Sequence, residues 1–261
     1  MLKHILVMAA SALLVPAVTM AKPVVFEASG VEPADIQAAV DGFRVFLGNN
    51  NGVGGTFPDG RREINWDGTP DNFSAPNNLP ANFFNANSPR GVVFFTPGTG
   101  FQVSADSDNP THTPVEFGNI KQSLPFRFRT FSPERLFTPL DSNVTEVLFF
   151  VPGTTKAATV DGFGAVFTDV NRDEISKIEY LDVNGNLLFS KFVQPNPRRE
   201  SLSFLGVGFD AGERVFLVRI TSGNVALSLT DRIFWIGSPG LGRDVVVLDD
   251  FIYGEPQPLQ P

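Results

Sequence analysis

From residue 85 onward nearly every segment is a short β-branched or aromatic run closed by glycine, proline, asparagine or aspartate. That spacing of apolar runs and turn formers is the pattern of an all-β sandwich. Strands are expected at Val24–Glu27, Phe43–Leu47, Arg62–Trp66, Gly91–Thr96, Phe126–Phe131, Thr145–Val151 and Gly162–Val170. Further strands are expected at Ile175–Asp182, Leu187–Val193, Leu202–Asp210, Arg214–Thr221, Arg232–Ile236 and Asp244–Tyr253. Asn184-Gly185 is a two-residue hairpin signal, and Asp210–Arg214 reads as a similar turn. The one persuasive helix is Glu32–Val40, with Pro33 near its start and Ile36, Ala39 and Val40 on one side. The fold expected is an antiparallel, jelly-roll-like β-sandwich with one short helix.

The chain opens with Lys3, an apolar run Ile5–Val18 and the small-residue end Thr19-Met20-Ala21. This reads as a secretory signal peptide over residues 1–21, cut after Ala21. The run is short for a bilayer and contains Pro16, so no membrane span is expected after cleavage. The expected location is secreted, periplasmic or at the cell surface. Residues 22–254 then form a single domain, elaborated by long loops at Asn49–Asn87, and Glu255–Pro261 form a flexible tail. The formal net charge of −8 argues against nucleic acid, which needs clustered lysine and arginine. There is no cysteine, so an exported domain must be held by its core and by any ions it binds. Phenylalanine supplies that core: there are 26, against two tyrosines and two tryptophans.

The last strand, DVVVLDDFIYG, places Val245, Val247, Asp249, Phe251 and Tyr253 on one face and Val246, Leu248, Asp250 and Ile252 on the other. Each aspartate therefore shares a face with core residues, where a carboxylate needs a partner. An arginine, a set of backbone N–H groups or a calcium ion would each serve, and the bland alternative is a frayed strand end. Asp169 opens DVNRDE, which has the Asp-x-Asn-x-Asp spacing of a calcium loop. An EF-hand is excluded, because Glu174 stands where glycine is needed and Tyr180 where glutamate is needed. Asp106 and Asp108 form a weaker acidic turn.

VVFEASG near the start and VVLDDFIYGE near the end resemble the first and last strands of secreted β-sandwich modules of carbohydrate-binding, galactose-binding-like type. Residues Gly162–Gly254 are similar to the sandwich domains of exported bacterial proteins with PEP-CTERM sorting tails, although the residues from Glu255 to Pro261 are not such a tail. The resemblance implies paired terminal strands and acids there that hold a structural calcium ion. The candidate metal ligands are Glu27, Asp249 and Asp250 on those strands and, from the separate loop spacing, Asp169.

The stretch GRREINWDGTPDNF concentrates polar groups among long loops, where binding residues gather. As a strand it sets Ile64 and Trp66 on one face and Glu63, Asn65 and Asp67 on the other. That polar row suits a cation or sugar hydroxyls, with Arg61 and Arg62 as forked donors or as neutralising charges. Arg61, Arg62, Glu63, Asn65, Trp66 and Asp67 are the candidate ligand-binding residues, Trp66 serving as a stacking platform if exposed. The bland reading buries Trp66 and leaves the row in water.

Catalytic chemistry has little material. His112 is the one histidine after the leader, so a zinc site or a histidine triad is not expected. A Gly-x-Ser-x-Gly elbow is absent, and GFGAVF lacks the third glycine of a dinucleotide fingerprint. The expected function is an exported, non-catalytic binding protein for a glycan or cell-surface polysaccharide, with calcium as a structural cofactor. The alternatives are a structural cell-surface or biofilm-matrix protein, and a secreted glycosidase that pairs Glu63 with Asp67 or Asp249.

Overall fold

The computed structural model describes residues 22–230, 234–235 and 242–259. The leader read over residues 1–21 lies outside the described residues, as does most of the strand expected at Arg232–Ile236. Along the chain, β1 (Val24–Gly30) leads into α1 (Pro33–Leu47), followed by β2 (Arg61–Ile64), α2 (Phe83–Ala86), β3 (Val92–Phe95) and β4 (Gly100–Val103). Next come β5 (Phe137–Leu140), β6 (Val144–Phe149), β7 (Ala158–Thr159), β8 (Gly162–Thr168), β9 (Lys177–Leu181) and β10 (Leu187–Phe192). The last are β11 (Leu202–Gly208), β12 (Leu217–Thr221), β13 (Val225–Ala226), β14 (Phe234–Trp235), β15 (Val247–Gly254) and β16 (Gln257–Pro258).

Two antiparallel sheets pack together, as an all-β sandwich requires. The larger runs β1-β11-β8-β15-β5-β4, with β2 also on β15, and the smaller runs β10-β9-β12-β6-β3. Phe163, Phe167, Leu205, Phe251 and Tyr253 of the large sheet meet Val147, Phe149, Tyr180, Val218 and Ile220 of the small one. The outer face of the large sheet is covered as well. There Val166, Phe204 and Ile252 receive Ile36, Val40, Phe43 and Leu47 of α1. With both faces covered, β8, β11 and β15 are buried at every position. Doubly covered strands read as continuous apolar runs rather than alternating ones.

Helix α1 is longer than expected, and Phe43–Leu47 is its last third, not a strand. Ile36, Val40, Phe43 and Leu47 recur at helical spacing and all are buried. Asp35 accepts the N–H groups of Val31 and Glu32 at its start, at 2.8 and 2.9 Å. Gly164 and Gly206 face each other across β8 and β11. A Cβ on Gly206 would stand 2.8 Å from the Phe43 ring, so the paired glycines make the hollow that seats the helix.

Four other expectations are corrected. The terminal strands do not pair: β11 and β8 stand between β1 and β15. Asp210–Arg214 joins β11 to β12, which lie in different sheets, so this turn is a crossing between layers and not a hairpin. Phe126–Phe131 follows a single 3-10 turn, Leu124–Phe126, and forms no strand; its arginines instead pair with acids, Arg127 with Asp169 and Arg129 with Glu32. The expected mobile tail begins with buried Glu255, and β16 pairs with β7. The hairpin at Asn184-Gly185 does form: Asp182 accepts the N–H groups of Asn184 and Asn186, both at 2.8 Å.

Candidate functional site

Strand β2 pairs with the end of β15, Ile64 opposite Phe251 and Arg61 opposite Gly254. Its alternation is as read from sequence: Ile64 and Trp66 are buried, while Glu63, Asn65 and Asp67 reach the other side. Arg62 falls on the inner face. Its guanidinium, fully buried, forks onto Glu255 with two bonds of 2.6 Å and also donates to the carbonyls of Gly52, Gly54 and Gly55. Asn51 and the Phe57 N–H complete the shell around Glu255. Arg62 therefore holds the glycine-rich loop onto the domain and faces no ligand.

Trp66 is 1 % exposed and cannot serve as a stacking platform. Its ring lies parallel to Phe137 at 4.3 Å and meets Phe84 and Phe251 edge-on. Asp67 is also committed to the fold, accepting the N–H groups of Glu134 and Arg135 at 2.6 and 3.0 Å.

The remaining members of the row open onto a polar cleft of about 490 Å³ between α1, β2 and the segment Phe131–Pro133. Gln37, Arg44, Asn50, Glu63, Asn65, Arg90, Ser132 and Asp250 line it, with the ring of Phe131. Arg44 occupies the centre of its charge network. It grips Glu63 with bonds of 2.8 and 3.2 Å, touches Asp41 at 3.3 Å and stands 3.7 Å from Asp250. Arg61 supplies a second donor to Glu63 at 2.6 Å.

Asp249 and Asp250 sit where the β15–β8 register shifts between Leu248 and Phe251, so a bulge carries both acids. Asp250 reaches the cleft, and Asp249 lies fully buried. Ser132 Oγ donates to Asp250 at 2.6 Å, and the Phe131 N–H donates to Asp249 at 2.6 Å. Burial pushes Asp250 up to about 6 against the pull of Ser132 and Arg44. Burial, and then the neighbouring Asp250 charge, raise Asp249 well above the ordinary carboxylate range. Burial and mutual repulsion therefore both favour the protonated form of this pair over the doubly charged one.

The acids named as candidate metal ligands lie in different settings. Glu27 pairs with Lys191 at 3.2 Å, and the bulge acids are held by Phe131, Ser132 and Arg44. Among the described residues no group of three or more acids or histidines is placed to hold a metal ion. Asp169 differs from the rest. It is buried, neither carboxylate oxygen has a hydrogen-bond partner, and one lies 3.3 Å from Arg127. Burial raises it to about 6, with the nearby buried Asp244 adding repulsion.

Arg44, Arg90, Phe131 and Ser132 were not anticipated from sequence. Arg44 was hidden by the strand assigned to Phe43–Leu47; a helical reading would have aligned Gln37 and Arg44 on one face. A larger groove of about 870 Å³ runs past Pro58, Thr159, Asp182, Val183, Arg214, Gln257 and Pro258, but its walls are mainly apolar. The polar cleft is the better candidate, because specificity comes from convergent polar groups. Among the described residues no helix is long and apolar enough to cross a membrane. Compared with known protein families, curated proteins and solved structures, the chain matches none of them.

Proposed function

We propose that this chain is an exported, non-catalytic binding protein whose polar cleft takes a carbohydrate. The observation that carries the reading is the convergence of forked donors, carboxylates, amides and a hydroxyl on one cleft beside a half-buried phenylalanine ring. A sugar presents hydroxyls that both donate and accept, and an apolar face that covers a ring. Glu63 and Asp250 offer acceptors, Asn65 and Gln37 offer both functions, and Arg44 fixes the acids in place. Export is proposed from the leader at residues 1–21, to the exterior, the periplasm or the cell surface.

Retention of soluble oligosaccharides by the wild-type chain, compared with Asn65→Ala and Glu63→Gln, tests this reading. Loss of retention in both variants with the fold intact supports it. A chain that retains no sugar at all would instead be a structural surface or matrix protein.

A glycosidase reading has one observation in its favour. Glu63 and Asp250 both lie within 4 Å of Arg44 in the cleft, and Asp250 is raised to about 6, a value suited to a proton donor. Turnover of polysaccharides, lost in Asp250→Asn, would establish it. Calcium stabilisation belongs to the same proposal. Of the acids named from sequence, Asp169 best fits a hard cation, since its buried oxygens make no close hydrogen bond, only Arg127 standing 3.3 Å from one, and the charge of Asp244 acts on it.

A further inference from the structure

Among the described residues, the charge of Arg90 in the cleft stands outside the ion-pair network. Arg44 and Arg61 are both spent on Glu63, and Arg62 behind them on Glu255. Arg90 also lines the cleft, yet among the described residues no carboxylate comes within 4 Å of its guanidinium. One terminal nitrogen donates to the Ser88 hydroxyl, Nε is buried without a partner, and the group stands 5.7 Å from the centre of the Phe84 ring. Burial lowers its pKa, and Arg62 adds repulsion. A guanidinium remains charged in proteins even so, and a half-buried cation without a counter-ion is costly until an anion arrives. The backbone at Arg90 is fixed independently, because the Tyr253 hydroxyl donates to its carbonyl at 2.9 Å.

We propose that Arg90 receives a carboxylate carried by the ligand, so that the cleft selects an acidic saccharide, one containing a uronic acid, over its neutral counterpart. This rests on the saccharide reading above. The fork of an arginine matches a planar carboxylate in two parallel bonds. The paired acids and arginines beside it are already neutralised and are left to hydrogen-bond the ring hydroxyls. The overall charge of −8 repels long polyanions, but distant charges are screened within about 8 Å at physiological salt. A short acidic oligosaccharide is therefore the fitting ligand.

The experiment uses short oligosaccharides of galacturonic, glucuronic, mannuronic and guluronic acid, each alongside its carboxyl-reduced neutral form, with binding measured by calorimetry. For at least one pair the acid should bind about tenfold or more tightly than the reduced form, the scale of one charge-assisted contact. Arg90→Gln should erase that difference with its melting temperature near wild type, and Arg90→Lys should restore part of it. If Arg90→Gln does not fold, the wild-type acid and neutral pair and Arg90→Lys still decide. Neutral forms that bind as well as the acids would overturn the role of Arg90 while leaving a sugar site. An Arg90→Gln chain that still prefers acids would overturn it too. A chain that binds neither form loses the saccharide reading itself, and this inference with it.

Discussion

Trp66 donates its indole N–H to the backbone carbonyl of Asp249 at 2.9 Å, so the ring two residues beyond β2 is tied to the bulge that carries both acids. The same ring stacks on Phe137 and closes the aromatic core beneath the cleft. The floor of the site and the core of the sandwich are thus one packed unit. Truncating the ring removes a buried aromatic and leaves a carbonyl unpaired, a loss of about 3–5 kcal/mol. Trp66→Ala should lower the denaturation midpoint accordingly. In a Trp235→Phe background, the fluorescence of Trp66 should resist acrylamide; strong quenching would contradict the burial.

Arg62 and Glu255 are fully desolvated, at 0 % and 1 % side-chain exposure, and the loop carbonyls depend on them. Removing one partner strands the other charge in the interior, at about 3–5 kcal/mol. Glu255→Ala should therefore be among the most damaging single changes, and truncation before Glu255 should be equally harmful. Limited proteolysis should then cut within residues 51–60. A stable Glu255→Ala variant with an uncut loop would exclude this role.

These two cases show what the sequence could and could not convey. The alternation around Trp66 was legible because a strand with one buried face has a period of two. Arg62 was not, because an arginine that pairs inside the protein looks like one that pairs in water until its partner is known. Glu255 lies 193 residues away, in a stretch whose prolines read as a tail. Phe43–Leu47 misled for a related reason. Five residues of mixed apolar and polar type fit either period, and only the spacing back to Ile36 marks the helix. β5 was missed because Pro139 interrupts its run, although it pairs with β4 through Phe101. The acids of β15 were correctly singled out as unusual, but the bulge that places one in the cleft and one beneath it depends on register with β8.

Stability should rise as the solution is acidified from pH 7 toward about pH 4. Asp250 and Asp169 are raised to about 6, and Glu116 to about 7, each chiefly by burial. The folded chain therefore holds protons that the unfolded chain releases above its ordinary carboxylate range. Their contribution is greatest below the unfolded values and fades as pH climbs through 6 and 7. Asp35, Glu134 and Asp182 work in the opposite sense: hydrogen bonds depress them, so their stabilisation is present at neutral pH and fails only in stronger acid. Calorimetric melting across pH 3–8 should give a maximum in mild acid. A steady decline from pH 7 downward would refute the raised values.

Calcium should act through Asp169 if it acts on this fold. A cation there would take the unpartnered carboxylate oxygens and displace Arg127, which lies 3.3 Å from one of them. Adding calcium should raise the melting temperature of wild type, and Asp169→Asn should remove the rise without unfolding the protein. Asn in place of a carboxyl with raised affinity for its proton imposes little electrostatic cost, so the variant should melt near wild type in chelator. A calcium-induced rise that persists in Asp169→Asn would place the ion elsewhere.

Asn65 and Glu63 separate binding from folding at the cleft itself. Asn65 is exposed and, among the described residues, its side chain bonds only to Asp67, at 2.9 Å, so Asn65→Ala should alter stability by less than about 0.5 kcal/mol. Glu63 joins Arg44 and Arg61 at a partly exposed position, and Glu63→Ala frees two guanidinium groups at once. One of them, Arg44, then keeps Asp41 and Asp250 as its acidic neighbours and can close the 3.7 Å gap to Asp250. The expected loss is about 1–2 kcal/mol, because water screens much of the pair. Glu63→Ala should also lower the pKa of Asp250, since a negative neighbour is removed and a cation is released toward it. Carboxylate titration by NMR in wild type and Glu63→Ala would read that shift at Asp250. If Asn65→Ala weakens sugar binding while stability holds, and Glu63→Ala moves Asp250 downward, the cleft is both a recognition surface and one coupled charge network. If Asp250 does not move, Arg44 is held by Asp41 instead, and the coupling between Glu63 and the bulge is absent.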